Sequence, residues 1–88
     1  MGTKVTHMDT GTAFNQALGR MVRDALADAG VSQREACSRT GIALTTLQRR
    51  FMGSPFNVDE LRALASVAGT TDIALLQATE AVHMTGAA

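Results

Sequence analysis

Apolar residues recur along this chain at spacings of three and four, the period of a helix with one buried face. Phe14, Leu18, Met21, Val22, Ala25 and Leu26 form the first stripe. With Thr12 as a cap and Gly30 as a stop, it predicts a helix over about residues 13–29. Ser32 followed by Glu35 has the spacing of a reciprocal capping box and opens a second helix at Gln33, which Gly41 ends in a left-handed conformation. A third helix runs from Leu44 to Met52 and is closed by Gly53. Asn57 with Glu60 forms another capping box, and Phe56 with Leu61 a hydrophobic staple. The fourth helix is expected to bury Val58, Leu61, Leu64, Ala65 and Ala68 and to stop at Gly69. Thr71 caps a fifth helix from Asp72 to about Val82, with Asp72 at its positive end.

This pattern predicts an all-α fold in one domain over residues 12–83, with a flexible arm at 1–11 and a frayed tail at 84–88. Composition agrees with helices. Of 88 residues, 45% are apolar but only three are aromatic, all Phe, so the core must come from Leu, Val, Ile, Met and Ala, a choice that favours packed helices over a sheet. An 88-residue chain is too short for two independent cores.

Charge adds a polarity that the total conceals. Eight basic residues balance eight acidic ones. From Ser32 to Gly53, however, Arg34, Arg39, Arg49 and Arg50 stand against Glu35 alone, whereas from Ser54 to Ala88 Asp59, Glu60, Asp72 and Glu80 outnumber Arg62. A local basic face can serve as an electrostatic footprint on nucleic acid even when net charge is zero.

Candidate chemistry is sparse. Cys37 has no partner for an internal disulfide and reads as a small core residue near the turn between the second and third helices. His7 and His83 have no partner in metal-ligand spacing, and no Gly-rich phosphate loop or nucleophile set is present, so neither an enzyme nor a cofactor is expected. No apolar run approaches the ~18 residues of a membrane span.

The stretch SQREACSRTGIALTTLQRRFMG, residues 32–53, resembles the helix-turn-helix of the lambda-repressor-like, Cro-like domains, the xenobiotic-response-element family. Its pattern is met by Ser32, Gln33, Cys37, Gly41, Ile42, Leu47 and Gly53, and the resemblance covers roughly residues 13–80 as a compact five-helix domain. Three positions depart from it: Ala43 lacks the usual capping hydroxyl, and Thr40 and Arg50 replace larger apolar residues. Arg50 is expected to lay its stem on the core and turn its head outward.

The resemblance implies a sequence-specific DNA-binding transcription regulator, repressor or Cro-like, of bacterial or bacteriophage type. It would be cytoplasmic, at the nucleoid when bound, and would have no small-molecule ligand. The third helix would lie in the major groove of a double-stranded operator. Leu44, Thr45 and Arg49 then read bases, while Gln33, Arg34, Thr46, Gln48 and Arg50 contact phosphates. A homodimer would occupy two half-sites. Ile73 and Leu76 are expected to face the core, leaving Leu75, Ala78 and Val82 as the dimer interface or as packing under the loop after the first helix. The rival reading is a protein-binding module of the same fold, an anti-repressor or antitoxin, acting through the fifth helix.

Overall fold

Five helices follow one another without a strand among the described residues: α1 Gly2–Asp28, α2 Gln33–Thr40, α3 Leu44–Phe51, α4 Val58–Val67 and α5 Asp72–Ala87. A computed structural model describes the backbone of residues 2–87 and the side chains of residues 13–82. His7 and His83 therefore lie outside the described side chains. Helix α1 begins well before the expected residue 13, so Thr12 is interior to a helix rather than its cap, and α5 continues through most of the expected tail. Extending an existing helix avoids the nucleation cost that would oppose an isolated segment of this composition.

The local signals at the helix ends act through identifiable bonds. The Ser32 hydroxyl accepts the Glu35 N–H at 3.1 Å. The reciprocal half of that box is not formed, because the Glu35 carboxylate turns to Arg39, 3.6 Å away on the next turn of α2. At α4 the box is complete: Asn57 Oδ1 accepts the Glu60 N–H at 2.7 Å, and Glu60 Oε1 accepts the Asn57 N–H at 3.1 Å. Thr71 caps α5 through the Ala74 N–H at 3.0 Å.

Leu18, Val22 and Leu26 of α1, Ala36 of α2, Leu47 and Phe51 of α3, Leu61, Leu64 and Ala65 of α4 and Leu75 of α5 form one core. Phe14, Met21, Ala25, Val31, Cys37, Ile42, Phe56 and Ala68 pack around it. The small residue fully enclosed near the α2–α3 turn is Ala36; Cys37 is half-buried. Val58 is exposed rather than buried, since it stands at the open first turn of α4.

Helix α5 is rotated relative to the expected arrangement. Leu75 is 5% exposed and faces the core, whereas Ile73 is 62% exposed and Leu76 also reaches solvent. The inward stripe continues from Leu75 to Thr79, which is fully buried one turn later and donates its hydroxyl to the Leu75 carbonyl at 2.7 Å. Internal satisfaction of the hydroxyl removes most of the penalty for burying it. A threonine thus occupies an inward position that a polar-out reading assigns to solvent.

Two helices approach closely at Gly19. A β-carbon there would stand 2.5 Å from the Arg50 carbonyl oxygen and 2.6 Å from that of Phe51, so α1 passes directly against the C-terminal end of α3. Both obstructing atoms are backbone and can yield only if α3 moves. Gly19→Ala should therefore destabilise the protein by about 1–3 kcal/mol in urea unfolding, even though alanine is favoured in a helix by ~1 kcal/mol. Higher stability in the variant would contradict this packing.

Candidate nucleic-acid interface

The connection between α2 and α3 is three residues long, Gly41–Ala43, and its bonds explain the shape. Gly41 takes φ 79°, a left-handed conformation that glycine adopts without the steric cost of a β-carbon. Its N–H donates to the Cys37 carbonyl at 2.8 Å. The Thr40 hydroxyl donates to the Ala36 carbonyl at 2.7 Å and accepts the Ile42 N–H at 3.2 Å. A larger apolar residue at this position could form neither bond. Ala43 has N-cap geometry but no side-chain acceptor, so α3 begins without a side-chain cap.

Helix α3 divides cleanly by period. Leu47 and Phe51 are buried, and Leu44 shares their stripe and is half-buried. Thr45, Gln48 and Arg49, spaced by three and one, share the opposite face and are exposed. Gln48, expected at a phosphate, thus shares the exposed face with Thr45 and Arg49, two of the three residues expected to read bases, while the third, Leu44, keeps only part of its surface for contact. Thr46 is half-buried on the flank. Gln33 and Arg34 are exposed in the first turn of α2. Arg39, also exposed, is loosely paired with Glu35.

Arg49 and Arg50 are neighbours in sequence with different surroundings. Arg49 makes no ion pair within the described residues, and its place in the last turn of α3 suits the negative end of the helix dipole. The Arg50 guanidinium grips Glu60 of α4 with two bonds, Nε to Oε1 at 2.9 Å and Nη2 to Oε2 at 3.2 Å. Its Nη1 donates to Ser54 Oγ at 2.6 Å. The side chains of Arg50 and Glu60 retain only 21% and 14% of their exposure. The Arg50 head is therefore turned to Glu60 and Ser54 rather than outward, with three of its five N–H donors engaged within the fold.

The same contacts set the ionisation of the pair. The hydrogen bond from Arg50 holds the Glu60 carboxyl below its ordinary value, with help from the Asn57 N–H and against the opposing effect of burial. The hydrogen bond to Glu60 raises Arg50 further. The sequence contained a clue: Arg50 directly precedes Phe51 at the edge of the apolar stripe of α3, and a charge so placed calls for a nearby carboxylate, since an unpaired charge there would be costly.

Of the expected dimer residues, Leu75 is core, while Ala78 and Val82 are at the surface. Ala78 also lines an open groove with Ala25, Asp28, Ala68 and Ala74. Among the described residues no cluster of three or more His, Cys, Asp or Glu is placed to hold a metal ion. No described helix is long and apolar enough to cross a membrane. No protein-family model matches the chain, and neither a curated protein nor a solved structure gives a significant match.

Glu60→Gln should cost about 1–3 kcal/mol at neutral pH, between the values for exposed and fully buried ion pairs. Because the folded-state carboxyl is held below its ordinary value, the folded protein binds fewer protons than the unfolded chain in that interval. The wild-type advantage is thus present above the unfolded glutamate value of about 4.3 and disappears as pH falls through the lower folded value. Denaturant melts of both proteins across the acid range should converge; a gap independent of pH would exclude this charge linkage.

Proposed function

We propose that this protein is a sequence-specific DNA-binding transcription regulator, repressor or Cro-like and of bacterial or bacteriophage type. In this reading α2 and α3 are the two arms of a helix-turn-helix in a lambda-repressor-like domain, and α3 enters the major groove of an operator. The observation that carries it is the outer face of α3, where Thr45, Gln48 and Arg49 stand exposed together on a helix whose opposite face is anchored by Leu47 and Phe51. Such a face offers the chemistry of base edges. Arg49 supplies a bidentate donor pair for guanine, Gln48 a donor and acceptor for adenine, and Thr45 a hydroxyl or methyl. Leu44 contributes its exposed edge to a thymine methyl, and Gln33, Arg34 and Thr46 supply phosphate contacts at the border.

One domain of this size makes few contacts, so the proposal includes a homodimer on two half-sites and a cytoplasmic location, at the nucleoid when bound. The exposed apolar residues Ile73, Leu76 and Val82 make α5 the element for the subunit contact. They also favour a second reading, a protein-binding module acting through α5. The two readings differ at Arg49, which a complex formed through α5 does not need.

Selection of bound duplexes from a random pool, at two salt concentrations, separates them. Wild type should recover a palindromic site with strong salt dependence, and Arg49→Ala should lose about 10- to 100-fold in affinity for it. Failure of wild type to enrich any duplex would overturn DNA recognition and direct the search to a protein bound by α5.

A further inference from the structure

We infer that Arg50 is a positioning residue for α3, acting through Glu60 and Ser54 to fix the angle at which the Thr45–Gln48–Arg49 face is presented. The DNA consequence rests on the proposed function; the positioning itself rests on contacts within the chain.

An eight-residue helix is too short to hold its own geometry in water, so its orientation comes from its neighbours. Leu47 and Phe51 fix its depth in the core, and Gly19 allows α1 to lie against its C-terminal carbonyls. Apolar burial and close approach limit the roll of the helix about its axis but leave small rotations open, because neither is strongly directional. A bidentate guanidinium–carboxylate bond is directional. Arg50 and Arg49 are consecutive, so a roll that releases Arg50 from Glu60 also swings Arg49. The far side of the clamp is itself fixed: Glu60 Oε1 accepts the Asn57 N–H as well as Arg50 Nε, so the carboxylate belongs to the start of α4. Ser54, in the connection between α3 and α4, closes the third side. The clamp thus joins the end of α3, the following loop and the head of α4 in one charged network.

Lysine discriminates between this role and a phosphate contact. A phosphate accepts lysine as a point charge, whereas two parallel bonds to one carboxylate require the planar fork of arginine. Arg50→Lys, Arg50→Met, Glu60→Gln and the double variant Arg50→Met/Glu60→Gln should be compared with wild type on the duplex that wild type selects. All four should lose affinity about tenfold, comparable to one base contact, and the double variant should lose no more than either single. The slope of log affinity against log salt should be unchanged in Arg50→Met, where loss of a phosphate contact would lower it by about 0.9. Amide hydrogen exchange in the free proteins supplies the second measurement: α3 should exchange faster relative to α1 in both Arg50→Lys and Glu60→Gln. Wild-type affinity in Arg50→Lys together with a reduced slope in Arg50→Met would make Arg50 a phosphate ligand and overturn the inference. Unchanged α3 exchange in both conservative variants would overturn it as well. If wild type selects no duplex, the DNA reading fails separately, and the exchange result alone decides whether Arg50 positions α3.

Discussion

The close passage of α1 against the end of α3 governs what the rest of the molecule must supply. Gly19 brings one helix backbone against the final carbonyls of another, and nothing larger fits between them. Helix α3 carries Leu47 and Phe51 in the core and Arg50 at the boundary of water and protein. A charge at that boundary calls for a fixed counter-charge, which α4 provides through Glu60. The end of α3 is thus held on two sides, by the α1 backbone at Gly19 and by the ion pair that joins it to α4.

Apart from the start of α1 and the end of α5, helix positions were legible in the sequence because their signals are local. Gly41, the Asn57–Glu60 box and the Thr71 cap each depend on residues within a few positions of one another, and each occurs as its spacing predicts. The exposed side of α3 was largely legible for the same reason, since Leu47 and Phe51 fix the period. Signals that depend on three dimensions were missed. Gly19 sits inside an uninterrupted helical pattern and gives no local sign that a second backbone lies against it. Arg50 and Glu60 are ten residues apart, and each had a sufficient local reading, one as a snorkelling arginine and the other as half of a capping box.

The error on α5 has a different origin. Binary patterning assigns threonine to the polar class, yet a helical threonine can satisfy its hydroxyl on the preceding turn and then behave in packing much like valine. Thr79 does this at the centre of the inward face, and one such residue is enough to rotate the inferred orientation of the whole helix. The partial capping box at Ser32 shows a related competition: Glu35 had two partners within reach, and the arginine one turn later won over the backbone amide.

Thr40 ties the turn to itself, with one hydroxyl holding both the end of α2 and the start of the connection. Turn geometry therefore owes nothing to the side chains at 45, 48 and 49, which neither fill the core nor brace the loop. Those three positions can diverge without forfeiting foldability. A lineage built on this scaffold could vary the chemistry of this face by point substitution while inheriting its architecture intact.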